Sequence, residues 1–353
     1  MIGAIEAREK YGATGKGVVI GVVDTGIDYR HPDLGGGFGP GFKVIGGYDC
    51  VDNDRDPLDE NGHGTHVAGI IAANGKIKGV APEASLMAFR VLNADGEGTY
   101  SAILAGLEKA CDPDGNPATE DAVPILNLSL GGLGHEDDIL CRAVDTLVSL
   151  GISCVVAAGN EGPDKQTIGS PGSSRRAITV GALHRDGRTL AAFSSRGPTT
   201  GHGMPKPDLC APGTAIVSTV PAGGYAGFSG TSMAAPHAAG ALALLMSLLP
   251  PEERYYSWQW KNYLLSAVRP SSPGAPAPEF GEIYARGKGA LYLPAILPLK
   301  EQALFYQNDC PVANLGRFRP WDQEYQMIVE LVIENKGDAR LTAEVALRHN
   351  LPP

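Results

Sequence analysis

Apolar runs rich in β-branched residues alternate along most of this chain with stretches of helical spacing. Val18–Val23 precedes Gly64–Ala73, Ser85–Val91 precedes Tyr100–Ala110, and Val123–Leu128 precedes Asp137–Ser149. Ile152–Ala157 and Ala177–Val180 read as further strands, and Thr231–Leu248 as one long helix built from small residues. Strands that are apolar at successive positions have to be buried on both faces, and the helices between them supply the cover. The pattern predicts an α/β fold around a doubly wound parallel sheet, with its functional groups gathered beyond the C-terminal ends of the strands. A dinucleotide-binding enzyme on such a sheet would carry G-x-G-x-x-G after the first strand, where Asp24-Thr25-Gly26-Ile27-Asp28 stands instead.

At 353 residues the chain has room for about two domains. Pro250 and Pro251 close the long helix, Trp258–Ala267 reads as another, and Pro270–Pro278 fits neither helix nor central strand. After Pro298 the sequence turns to strand-like alternation, in Met327–Glu334 and Leu341–Leu347 around a turn at Asn335-Lys336-Gly337-Asp338. Residues 1–298 are therefore expected to form the main domain. Residues 299–353 are expected to form a partial β-rich extension, short of the roughly 100 residues of a complete β-sandwich.

With 29 Lys and Arg against 39 Asp and Glu, the net charge of −10 excludes a strongly basic nucleic-acid binder. No apolar run approaches the roughly 18 to 20 residues of a transmembrane segment, and residues 1–10 contain no apolar signal core. The cysteines (Cys50, Cys111, Cys141, Cys154, Cys210 and Cys310) form no C-x-x-C pair and no zinc spacing. They read as small hydrophobes, and their even number leaves pairing open.

Three polar motifs interrupt the apolar pattern: the Asp24 segment, Asn61-Gly62-His63-Gly64-Thr65-His66, and Gly230-Thr231-Ser232-Met233-Ala234-Ala235-Pro236. They offer an acid, a base and a nucleophile. Peptide hydrolysis at neutral pH needs an activated hydroxyl, an imidazole to take and return its proton, and a carboxylate to hold that imidazole in the right tautomer. In the order Asp, His, Ser the motifs resemble those of the subtilisin-like serine proteases, whereas lipase-type hydrolases run Ser, Asp, His. The resemblance covers residues 2–298 and implies a three-layer α/β/α domain acting as a serine endopeptidase on polypeptide substrates. It further implies Asp24 as orienting acid, His63 as general base and acid, and Ser232 as nucleophile. Alone, Asp24 would read as turn chemistry, and His66 reads as a structural helix residue.

Ala157-Ala158-Gly159-Asn160-Glu161-Gly162 resembles the family's oxyanion motif, which implies Asn160 as a donor, with the Ser232 backbone N–H as the second. Ser129-Leu130-Gly131-Gly132 resembles one wall of the primary pocket and Ala158-Gly159 the other, with Gly169 at the floor; Asp95–Tyr100, including Gly98, resembles the strand that pairs with upstream substrate residues. A glycine floor leaves room for a large apolar side chain, and broad cleavage after such residues is expected. Glu97 and Glu161 either attract basic side chains or are simply solvated.

No cofactor is required for this chemistry. Residues 49–60 hold six acids (Asp49, Asp52, Asp54, Asp56, Asp59, Glu60) against Arg55, a density that is either solvated repulsion or an oxygen-rich cation site. The spacing is similar to a calcium loop of some family members, which implies Asp49, Asp54 and Asp56 as ligands of a structural calcium ion. The loop Ala73–Gly79 is shorter than the one forming the tight calcium site of secreted subtilisins, although Asp33 matches one of that site's ligands. Family members usually fold with an N-terminal prodomain, which is expected as a partner and does not stand in this sequence. The family's usual habitat is extracellular or the cell surface, and intracellular members exist. The rival reading is a catalytically inactive scaffold or binding protein on the same fold.

Overall fold

The computed structural model describes residues 2–116, 121–249, 257–269, 280–295, 303–307 and 331–335. After helix α1 (Ala4–Tyr11), strand β1 (Val19–Asp24) enters the centre of the molecule, followed by β2 (Val44–Asp49), α2 (His63–Ala72), β3 (Ser85–Arg90) and α3 (Tyr100–Cys111). Next come β4 (Ile125–Leu128), α4 (Ile139–Ser149), β5 (Ser153–Ala157), β6 (Ile178–Leu183) and β7 (Leu209–Pro212). A hairpin of β8 (Ile216–Val220) and β9 (Gly224–Phe228) leads into α5 (Thr231–Met246), then α6 (Ser257–Ser266), β10 (Val268–Arg269), α7 (Phe280–Arg286) and β11 (Ala290–Leu291).

Nine strands form one sheet in the order β10-β11-β7-β6-β5-β4-β1-β3-β2, parallel throughout except for the β10–β11 pair at the edge. From β1 the chain runs first to β2 and β3 on one side, then returns to place β4 on the other. The strand order reverses there, and a crevice opens at the strands' C-terminal ends. Both faces of the sheet are covered, as the apolar runs require. Ile20 and Val22 of β1, Leu86 and Ala88 of β3 and Val155 of β5 join one core with α2 and α5. Val23, Phe89, Leu126 and Val156 point the other way into a core with α3 and α4. Helix α5 is apolar all round and buried along nearly its whole length, as a helix enclosed on every side must be.

The expected strands and helices of the main domain are found, with boundaries moved by one to a few residues. β2, β7 and β9 escape the apolar pattern because Gly-rich or short strands carry little of it, and the pattern does not single out β8 either. In the C-terminal region, β12 (Ala303–Gln307) pairs antiparallel with β13 (Leu331–Asn335) in a separate two-stranded sheet. The proposed strand Leu341–Leu347 and the segments at Pro250–Pro251 and Pro270–Pro278 lie outside the described residues, as does Cys310. Among the described residues no helix is long and apolar enough to cross a membrane. The five described cysteines are unpaired. Burial pushes the Cys141 and Cys210 thiols up to about 12, so neither is a ready nucleophile.

One charged cluster lies inside the packing. The Lys206 ammonium is fully buried and donates to the Ala177 carbonyl (2.9 Å), the Thr179 hydroxyl (2.8 Å) and Asp208 Oδ2 (2.7 Å). Lys261 of α6 donates to the same carbonyl and lies 3.0 Å from Asp208 Oδ1. Burial pulls Lys206 down to about 8, while the two lysines outweigh the burial of Asp208 and hold that carboxyl below its ordinary range. Asp208→Ala leaves two buried cations without a counter-charge, and we expect a loss of about 3–5 kcal/mol in urea unfolding. A loss below about 1 kcal/mol would show that the cluster is not held by that charge.

Candidate active site

Asp24 ends β1 with its side chain wholly buried, and its Oδ1 lies 2.7 Å from Nδ1 of His63, the first residue of α2. The Thr25 N–H donates to the same oxygen at 2.8 Å, and Oδ2 is buried without a partner among the described residues. The approach is tight. A Cβ at position 64 would stand 2.1 Å from the Gly26 carbonyl oxygen and 3.2 Å from Asp24 Cβ, so only glycine lets the helix come this close. The His63 imidazole is about one-quarter exposed and faces the crevice. Burial disfavours its charged form, but the charge and hydrogen bond of Asp24, helped by Asp59, outweigh that and hold its pKa above the ordinary histidine value.

Helix α2 has no capping side chain at Gly62. Asp59 does that work from upstream, accepting the N–H groups of Gly62 (2.8 Å) and Thr65 (2.8 Å). His66 lies one turn beyond His63, and its Nε2 donates to the Ile216 and Ala226 carbonyls while its ring stacks on Phe228. Burial drops its pKa to about 4, so it is a neutral brace between α2 and the hairpin, which fits its reading as structural.

Ser232 is the second residue of α5, at a helix end where backbone N–H groups have no intrahelical acceptor. Its hydroxyl donates to the Ser129 carbonyl at 3.2 Å, and the Ser129 hydroxyl donates back to the Ser232 carbonyl at 2.8 Å. Asn160 follows β5. Its Oδ1 accepts from both the N–H (2.9 Å) and the hydroxyl (3.1 Å) of Thr231, which fixes the amide and leaves Nδ2 as its donor.

These groups share one cleft of about 640 Å³. His63, Ser232 and Asn160 line it, as do Gly98, Ser129, Leu130, Gly131, Ala158, Gly159 and Gly169. Asp24 stands behind His63, outside the cleft wall. The glycine at 169 has a different reason from the expected one. A Cβ there would sit 2.1 Å from the Gly132 oxygen, because the two walls are bridged by paired backbone hydrogen bonds between Gly132 and Ser170, each 2.9 Å. Glycine at 169 therefore permits close backbone packing rather than simply leaving space. Glu161 lines the rim, with its carboxylate accepting from the Ser195 hydroxyl at 2.9 Å.

Asp49, Asp54 and Asp56, the acids read as calcium ligands, each have contacts of their own and are not among the carboxylates clustered within 4.8 Å of one another among the described residues. Asp49 Oδ2 pairs with Arg90 at 2.8 Å and its Oδ1 accepts two backbone N–H groups, while Asp56 accepts from the Tyr29 hydroxyl at 2.6 Å. Arg90 also reaches Asp52 (3.0 Å) and Glu60 (2.8 Å), so a cation from the end of β3 pairs with three of the six acids. Within its own segment the acidic run offers only Arg55 as a cation. An arginine closing an otherwise apolar strand is the signal that could have found the Arg90 pairing. Among the described residues, the carboxylates close enough to share an ion are Asp112, Asp114 and Asp121, at the end of α3. Asp33 is occupied by the N–H groups of Lys76 and Ile77 and by the Tyr225 hydroxyl.

The family model described as the subtilase family matches residues 15–281. Serine protease AprX of Bacillus subtilis (strain 168) is 44% identical over 268 residues, 67% of this chain and 58% of that protein. Subtilisin DY of Bacillus licheniformis is 38% identical over 289 residues, 80% of this chain and 92% of that protein. Among solved structures, a cold adapted subtilisin-like serine proteinase aligns with a TM-score of 0.60 at 34% identity, covering 73% of this chain and 84% of its own. The chain thus spans little more than half the length of AprX but nearly all of subtilisin DY. By its sequence, its parallel sheet and its relatives, the chain belongs to the subtilase family.

Proposed function

We propose that this chain is a serine endopeptidase that cuts polypeptides through an acyl-enzyme, with Ser232 as nucleophile, His63 as base and acid, and Asp24 as orienting acid. The observation that carries the reading is the 2.7 Å contact between a buried carboxylate and the one imidazole that lines the cleft shared with Ser232 and Asn160. Asp24 accepts from Nδ1, so the neutral ring presents Nε2 as the acceptor for the serine proton. The Ser232 hydroxyl leaves the Ser129 carbonyl for Nε2 as it attacks the scissile carbonyl carbon. Charge then builds on the carbonyl oxygen, where the Asn160 Nδ2 and the Ser232 N–H at the start of α5 donate to it. The imidazolium, stabilised by Asp24, returns its proton to the leaving amine. Water repeats the sequence to release the acyl group and restore Ser232.

Substrate preference follows from the cleft walls. Leu130, Ala158 and Gly159 are small or apolar, the bridge between Gly132 and Ser170 closes the far end with backbone alone, and Glu161 is already engaged by Ser195. Exposed Tyr100 and Leu133 extend apolar surface along the same cleft. These features support broad cleavage after large apolar residues. A mixed peptide library should show cuts after Leu, Phe, Tyr and Met; cleavage confined to one charged residue would overturn that preference.

The inactive-scaffold reading draws on one observation, that the Ser232 hydroxyl donates to Ser129 rather than to His63. Catalytic hydrogen bonds are often loose before substrate binds, and the assay separates the two readings. Hydrolysis of casein or a chromogenic peptide, measured with and without added prodomain and calcium, should vanish in Ser232→Ala. Asn160→Ala should keep KM and lose roughly two to three orders of magnitude in kcat. A folded wild-type chain without activity in every condition would favour the scaffold.

The reaction needs neutral His63. Its raised pKa means that kcat/KM should climb with pH along an acid limb centred above the ordinary histidine value of 6.5. A limb centred below that value would contradict the buried Asp24 contact as its cause.

A further inference from the structure

We propose that Asp59 is a positioning residue for the general base, a second buried carboxylate that locks His63 against Asp24 and adds its charge to the field on the imidazole. The inference rests on the catalytic reading above.

Asp59 is 3% exposed and accepts five hydrogen bonds. Oδ1 takes the Thr25 hydroxyl (2.9 Å) and the N–H groups of Asn61 (2.9 Å) and Gly62 (2.8 Å). Oδ2 takes both the N–H (2.8 Å) and the hydroxyl (2.5 Å) of Thr65. The two threonines flank the catalytic pair, Thr25 directly after Asp24 and Thr65 two residues after His63. The Thr25 hydroxyl also accepts the Gly64 N–H at 2.9 Å. A single carboxylate therefore holds the end of β1 and the first turn of α2 in one network, and the Ile27 N–H adds a backbone tie to the Pro57 carbonyl at 3.0 Å.

All five partners are donors, so the site demands an acceptor on both oxygens. An asparagine would turn an NH₂ toward one set of them, and donor would face donor. No Lys or Arg pairs with Asp59 among the described residues, and its negative charge is balanced only by these hydrogen bonds. That charge favours the imidazolium form of His63. The other titratable groups around His63 are Asp24 from β1 and His66 on its own helix, which burial keeps neutral. Asp95, Glu97 and Glu161 line the cleft outside.

The test uses the full chain with active sites titrated by a fluorophosphonate, so that kcat is read per competent site. Asp59→Asn should lose about 10- to 100-fold in kcat with KM within about two-fold, because the base is misplaced while the substrate walls are intact. Its acid limb should move to lower pH, since one anion less makes the imidazolium less favoured. Asp59→Glu keeps the charge, so its limb should stay while kcat falls. A merely structural Asp59 would reduce Tm and the number of titratable sites, but leave kcat per site and the limb at wild-type values; that result overturns the inference. Should Asp59→Asn yield no folded protein, Thr65→Val removes one donor and keeps the anion. It should lose several-fold in kcat with an unmoved limb, and wild-type kcat per site there would equally overturn the proposal. An inert wild-type chain defeats the catalytic reading as well, whereas an active wild type with unaffected variants defeats this inference alone.

Discussion

The close approach of the first turn of α2 to the end of β1 governs the rest of the site. Asp24 has no access to water, and its best partner is the His63 ring nitrogen. A buried carboxylate is tolerable only where donors meet it, and those donors can arrive only if the helix start nearly touches the strand end. Glycine at 64 removes the obstacle, and the Asp59 network supplies the attachment. The electrostatic preference of the pair and the packing of the backbone are thus two sides of one constraint.

The sheet topology brings the remaining groups to the same place. Because the strand order reverses beside β1, the segments after β4 and β5 open onto the crevice that His63 faces, and they carry Ser129 and Asn160. Helix α5 runs buried beneath the sheet, with its N-terminus emerging at the crevice and Ser232 in its first turn. The small side chains of this helix let it pack against α2 and five strands at once, so Ser232 and His63 are fixed by a shared core rather than by loops. The β8–β9 hairpin reinforces that relation: it hydrogen-bonds α2 through His66, Ser218 and Thr219, then leads directly into α5.

Much of this was legible in the chain. Apolar runs such as Ile152–Ala157 reveal strands buried on both faces, and the three polar motifs interrupt them at positions where a parallel sheet concentrates function. What was not legible depends on partners distant in sequence. In the acidic run of residues 49–60, Asp49, Asp52 and Glu60 find their cation in Arg90, some thirty residues on. Asp59 looks like one acid among six because its threonine partners and its burial exist only in the folded chain. Gly169 looks like open pocket space, whereas the opposing Gly132 carbonyl occupies the direction in which a side chain would point. Strands β2 and β9 are rich in glycine, so their ladders are set by neighbours and not by their own apolar pattern.

The most direct measurement of the central claim is mass-spectrometric mapping of the residue modified when the folded wild-type chain meets a fluorophosphonate at neutral pH. The account predicts one fast adduct, on Ser232, that is lost when the protein is first unfolded. No adduct on the folded chain, or a faster one on another residue, would contradict it.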